Sequence, residues 1–248
     1  VGGDPAYRTP DGGTTWSQAN LPALPGGGSL SGVEFIDADH GFVVGGTPGE
    51  DPEDEWDDPV PPSNGFILRS DDGGQSWQVV TEGLEGALQR VSFADSQHGW
   101  AVGGGETGLI LHTSDGGVNW TPQTVPAGQG GAADFVADVD FVDSQSGYAM
   151  GNIGEGTPMV LVTENGGTAW SVDASYSQAF EGLEGMEKMA QWAMLAAISF
   201  PRKDLGMVSG KMNLVVGYTG ESYCPDRDAD GHTDEACGGD DCDDNNPY

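Results

Sequence analysis

The sequence predicts an all-β protein: a β-propeller of four-stranded blades, truncated at its ends, followed by a small irregular Asp-rich extension. Three observations carry this. A glycine-rich octet ending in Trp occurs four times. A second motif, built on Phe and Gly, alternates with it. The two recur with a period near 45 residues, which is the length of a propeller blade. The propeller is expected over residues 1–220 and the extension over 221–248.

The octets are "TPDGGTTW" (Thr9–Trp16), "SDDGGQSW" (Ser70–Trp77), "TSDGGVNW" (Thr113–Trp120) and "TENGGTAW" (Thr163–Trp170). An Asp opening a tight turn accepts backbone N–H groups just ahead of it. Two glycines then supply positive φ where the hairpin reverses, and the Trp returns to pack between blades. The expected structural set is Asp11, Trp16, Asp72, Trp77, Asp115, Trp120, Asn165 and Trp170. Asn165 stands where the other copies have Asp, so the position needs an acceptor and not a charge. That argues for a turn cap over a general base or metal ligand.

The second motif reads "FIDADHGFVVG" (Phe35–Gly45), "FADSQHGWAVG" (Phe93–Gly103), "FVDSQSGYAMG" (Phe141–Gly151) and "FPRKDLGMVSG" (Phe200–Gly210). Trp-to-Trp spacings are 61, 43 and 50 residues, and the longest contains an acidic, Pro-rich insert between Gly46 and Ser63. In the clearest unit "RVSF", "GWAVG", "GLILHTS" and "NWTPQTV" read as four successive strands. Complete units are expected over Ser31–Glu82, Ala87–Pro126 and Asp134–Ala174, with a partial unit at each end; "VGG" at the start matches the end of one more copy. Glu181–Phe200 breaks the rhythm. Met186, Met189, Ala193 and Leu195 there fit a short amphipathic helix, and an irregular loop fits as well.

Composition limits function. Forty acidic residues face eight basic ones, a net charge of -32. Such a surface repels nucleic acid and anionic membranes. No apolar run is long enough for a transmembrane segment. Asp37, Asp95 and Asp143 recur at one blade position, as turn residues do, and His40 and His98 match each other, as blade packing would require. Asp134, Asp138 and Asp140 do not recur and are the better candidates for carboxylate catalysis. Arg8 and Arg69 precede octets in equivalent places, which assigns them to structure.

The extension has its own chemistry. Asp226, Asp228, Asp230 and Asp234 stand at positions 1, 3, 5 and 9 of a loop with Gly231 at position 6, and His232 offers its carbonyl at position 7. That is the front half of a calcium loop, and all-oxygen ligands favour Ca2+ over zinc or copper. Position 12 is Cys237, so it is not an EF-hand. Asp240, Asp241 and Asp243, with Asp244, form a second site or complete the first; a disordered acidic tail is the alternative. Cys224, Cys237 and Cys242 all fall here and suit a disulfide-bearing extracellular module.

The four octets resemble the Asp-box, or BNR, repeat of bacterial sialidases, sortilin-type receptors, xyloglucan hydrolases and photosystem II assembly-factor propellers. The "F-x5-G-W-A-V-G" motif is most similar to the last group. The extension resembles thrombospondin type 3 repeats, in which further Asp residues and a disulfide complete the cage. The resemblance implies a propeller fold and leaves function open. No arginine triad of the sialidase kind is evident. The expected protein is a monomeric, non-enzymatic, bacterial binding scaffold, secreted, at the cell surface or in the periplasm. Its ligand would be a protein, peptide or glycan at a propeller face. The alternative is a glycoside hydrolase, sialidase-like or xyloglucan-hydrolase-like, with its acids in missing blades or non-repeated loops.

Overall fold

The computed structural model describes residues 6–47, 64–105, 107–126, 133–153, 157–173, 195–203, 205–210 and 215–219. Within them lie seventeen strands. β1 (Tyr7–Arg8) and β2 (Ser17–Gln18) form a hairpin. The first complete blade is β3 (Ser29–Phe35), β4 (Gly41–Thr47), β5 (Asn64–Ser70) and β6 (Gln78–Glu85). The second is β7 (Ala87–Phe93), β8 (Gly99–Gly104), β9 (Gly108–Thr113) and β10 (Thr121–Gln123). The third is β11 (Ala133–Phe141), β12 (Gly147–Ile153), β13 (Thr157–Thr163) and β14 (Ser171–Val172). A last sheet holds β15 (Leu195–Arg202), β16 (Leu205–Gly210) and β17 (Val215–Thr219).

Each blade is an antiparallel meander, and the octet always joins its third and fourth strands. The β1–β2 hairpin carries an octet too, so it supplies the outer half of a blade. The sheet of β15–β17 supplies the first three strands of another, and among the described residues the two end sheets do not pair. One expectation needs correcting. Leu195, assigned to a possible helix, opens strand β15. Met186, Met189 and Ala193 lie outside the described residues.

The second strands β4 and β8 are buried along their length, because they have sheet neighbours at both edges and packed elements on both faces. This is why they read as unbroken apolar runs rather than alternating ones. The core therefore lies between blades. Phe42, Val44 and Ile67 of the first blade pack with Leu88 and Val91 of the second. Trp100, Val102 and Ile110 pack with Val136, Val139 and Phe141 of the third. Tyr148, Met150 and Val160 pack with Ile198, Phe200 and Val208.

Strands β3, β7, β11 and β15 share an irregularity at one equivalent position, at Leu30/Gly32, Leu88/Arg90, Val136/Asp138 and Leu195/Ala197. A bulge re-aims the side chain that follows it. Here it turns Arg90 toward the next blade, where its Nε lies 3.7 Å from Asp138.

Candidate functional site

The octet is a closed hydrogen-bond unit. In the second copy Ser70 Oγ donates to Asp72 Oδ1 at 2.9 Å and accepts the Gly74 N–H at 2.8 Å. Asp72 Oδ1 also accepts the N–H groups of Gln75 and Ser76, and Ser76 Oγ donates to Oδ2 at 2.6 Å. The copies at Asp11 and Asp115 repeat this with Thr15 and Asn119 in place of Ser76. Both glycines take φ between 67° and 92° in all four copies, a region that side chains rarely adopt. These donors hold the Asp72 and Asp115 carboxyls down at about 2: Ser76 Oγ contributes most at Asp72 and the Asn119 N–H most at Asp115.

Asn165 keeps the Oδ1 role, accepting the Ala169 N–H at 2.9 Å. The residue four after it is Ala, with no side-chain donor. Loss of the second carboxylate oxygen and loss of the donor that would serve it occur together.

The Phe of the second motif is explained by its glycine. A Cβ added at Gly41 would lie 2.6 Å from the Phe35 ring, and one at Gly99 or Gly147 would lie 2.5 Å from Phe93 or Phe141. The ring thus rests on the bare backbone of its hairpin partner. The octet Trp meets the same ring edge-on, Trp77 on Phe35 at 5.9 Å, Trp120 on Phe93 at 5.9 Å and Trp170 on Phe141 at 5.7 Å. From the preceding blade, the residue after the motif Gly stacks on it: Phe42 on Phe93, Trp100 on Phe141 and Tyr148 on Phe200. Trp16 departs from the expected packing role, being 60 % exposed.

Polar links follow the same direction. Arg8 Nε donates to the carbonyl of Gly73 in the next octet at 3.1 Å, and Arg69 Nη1 to that of Gly116 at 3.3 Å. At the third step Trp100 Nε1 and Gln123 Nε2 serve Gly166. Asp37 Oδ1 accepts the N–H groups of Asp39 and His40, and these, the His40 N–H foremost, hold its carboxyl at about 2. Asp95 and Asp143 accept equivalent pairs. His40 and His98 are not packed between blades as expected. They sit at the surface, with Nδ1 2.8 and 2.9 Å from Asp37 and Asp95.

The acids of the first strands also work across blades. Glu34 accepts the Phe93 N–H at 3.1 Å, Asp138 that of Ile198 at 3.0 Å and Asp140 that of Phe200 at 2.5 Å. Burial pushes the Glu34 carboxyl up to about 7 and raises that of Asp138 against its hydrogen bonds. Their carboxylates are committed to neighbouring backbone, which is poor placement for an acid–base pair. Asp134 stands in β11, with its side chain outside the described residues. Glu34 was not singled out from sequence; its place before the motif Phe, where Asp140 also stands, was the available signal.

Two adjoining cavities lie beside the first blade among the described residues. Between β1 and β3 lies a cavity of about 300 Å3 lined by Tyr7, Arg8, Leu30, Val33, Phe35 and Trp77. A second, of about 610 Å3, continues it past Trp16 and Asp37. The expected metal ligands Asp226, Asp228, Asp230, His232, Asp234, Asp240, Asp241 and Asp243, and all three cysteines, lie outside the described residues. Among the described residues no cluster of His, Cys, Asp and Glu could hold a metal, and no helix is long and apolar enough to cross a membrane.

Comparison with known proteins adds a family likeness. A family model described as photosynthesis system II assembly factor YCF48 matches residues 69–174. The photosystem II assembly lipoprotein Ycf48 of Synechococcus sp. (strain CC9902) is 27% identical over 146 residues, covering 58% of this chain and 36% of that protein. The chain thus spans about a third of the length of this curated relative. The structure of YCF48 from Cyanidioschyzon merolae superposes with a TM-score of 0.56 at 15% identity, over 87% of this chain and 63% of that one, and shows a shared fold. A structure of YCF48 bound to D1 peptide aligns over 87% of this chain and 86% of that one at 16% identity, with a TM-score of 0.34, too loose to transfer a site.

Proposed function

We propose that this chain is a non-catalytic binding scaffold of the photosystem II assembly-factor type, a propeller whose loops engage a protein or peptide. The observation that carries this is the use of its acids. Asp72, Asp115 and Asp37, and likewise Glu34, Asp138 and Asp140, are bonded to backbone N–H groups. The repeated polar chemistry builds the frame, and the loops between strands are left for recognition. The likeness to an assembly lipoprotein supports the same reading and a site of action outside the cytoplasm.

The extension completes the proposal as a Ca2+-stabilised, disulfide-bearing spacer held by Asp226, Asp228, Asp230 and Asp234. Calorimetry on the oxidised chain tests both parts. Titration with Ca2+ should release heat that Asp228→Ala with Asp230→Ala abolishes; no heat sinks the extension's role. Titration with D1 peptide, the ligand of the related structure, is the first probe of the propeller. Hydrolysis of a glycan panel by the same preparation would overturn the non-catalytic reading.

A further inference from the structure

We propose that the Asn165–Gly166 step is a site of spontaneous deamidation, closed while the second and third blades are joined and opened when they part. The product is an irreversible mark on chains whose blades have separated.

The reaction needs only water. The Gly166 nitrogen gives its proton to a solvent base and attacks the Asn165 side-chain carbon. An N–Cγ bond forms, the Cγ–Nδ2 bond breaks, and the amide nitrogen takes up a proton and leaves as ammonia. Water then opens the cyclic imide at either carbonyl, to aspartate or to isoaspartate. A following residue with no Cβ leaves the attacking nitrogen unhindered, which makes Asn–Gly the reactive pair. The chain has two such steps, Asn64–Gly65 and Asn165–Gly166.

At Asn165 the electrophile is prepared. The residue is exposed, and its Oδ1 accepts hydrogen bonds from Thr163 Oγ1 at 3.0 Å and the Ala169 N–H at 2.9 Å. Donors on that oxygen stabilise the charge that develops there under attack. At the same step in the two preceding octets stand Asp72 and Asp115, whose ionised carboxylates are poor electrophiles.

The nucleophile is what the fold withholds. Gly166 is buried, and its N–H is donated to the Gln145 carbonyl at 2.8 Å. Its own carbonyl accepts Gln123 Nε2 at 2.8 Å and Trp100 Nε1 at 3.3 Å, both from the second blade. Trp170 Nε1 donates to Gln123 Oε1 at 3.0 Å, so Gln123 spans the octet. The Gly166 nitrogen can neither lose its proton nor turn toward the side chain until this clamp lets go. Local opening of the junction therefore sets the rate. Isoaspartate adds a carbon to the main chain, after which Gly166 no longer meets Gln145 and Gln123 together. Asn64–Gly65 is placed differently. It begins β5 in the first blade, paired with Thr47 and Gly46 on one side and with Glu85 and Leu84 on the other.

The test is peptide mapping by mass spectrometry of the intact chain aged in mildly alkaline buffer, reading aspartate and isoaspartate at both sites. Both should form readily in guanidinium, and Asn165 should convert far more slowly in buffer. Gln123→Ala removes one arm of the clamp and leaves the reactive pair untouched. It should raise the folded-state rate at Asn165 about tenfold, the worth of one hydrogen bond, with Asn64 unchanged. Gln123→Glu, which keeps the size and the acceptor for Trp170, should act in the same direction, and thermal melts verify that the variants are folded. In the parent chain, sub-denaturing guanidinium should speed Asn165 conversion and hydrogen exchange of the Gly166 N–H in proportion, which needs no variant. Conversion as fast in buffer as in guanidinium, no response to either Gln123 variant, or conversion unrelated to Gly166 exchange overturns the proposal. Equal acceleration at Asn64 also overturns it, by assigning the reaction to global unfolding.

Discussion

A single carboxylate oxygen distinguishes the fourth octet from the rest. Asp115 Oδ1 serves the Val118 and Asn119 N–H groups, and Oδ2 takes the Asn119 amide at 2.7 Å. Asp115→Asn keeps the first role, so thermal melting should place it between the parent and Asp115→Ala. At the fourth copy the logic reverses. Asn165→Asp alone gains nothing, because Ala169 has no donor for the new oxygen; combined with Ala169→Thr it should raise Tm. A double-mutant cycle with no coupling between the two changes would refute this. The cap was legible in sequence because Asn replaced Asp without breaking the repeat. The pairing with Ala169 was equally visible there, but its meaning needed the Oδ2 contact.

Among elements, the second strand is where sequence and structure agree most closely. "GFVVG" and "GWAVG" are apolar throughout because both of their faces are covered, and the Gly before them is bare because a Phe ring lies on it. What the aromatic after that Gly touches was not legible, since it belongs to the next blade. Its energetic weight depends on that neighbour. Phe42 is fully buried against Phe93, so Phe42→Ala should cost about 3–5 kcal/mol in urea unfolding. Met207 occupies the same register in β16 and is 55% exposed. Met207→Ala should stay within about 0.5 kcal/mol. Equal losses at the two positions would mean that the inter-blade stack is not the source of stability.

Over the whole molecule, two sets of acids set opposite pH dependences. Asp37, Asp72 and Asp115 are held at about 2, below their ordinary 3.8. Their contribution is complete above about pH 4 and is lost as pH falls toward 2. Glu34 goes the other way, at about 7 against an ordinary 4.5. The folded state then holds a proton that the unfolded chain has released, so its contribution declines as pH rises from about 4.5 to 7. Asp138 shifts in the same direction as Glu34. Tm should therefore peak in mildly acid solution, and Glu34→Gln should flatten the decline toward neutrality. A decline unchanged in that variant would assign it to the general repulsion of a chain with net charge -32. That charge was plain from composition; which acids face inward was not, because the bulges of the first strands set their aim.

Most links between blades point one way, although Arg90 also reaches back to the Ser31 carbonyl. Arg8 reaches forward to Gly73, Glu34 to Phe93, and Phe42 to Phe93. Each of these blades therefore has a plug side and a socket side, and three junctions share the same aromatic stack. A gene encoding such a chain can gain or lose a blade by unequal recombination between copies without any new interface being invented. Blade number is then free to drift while the joint itself is held fixed.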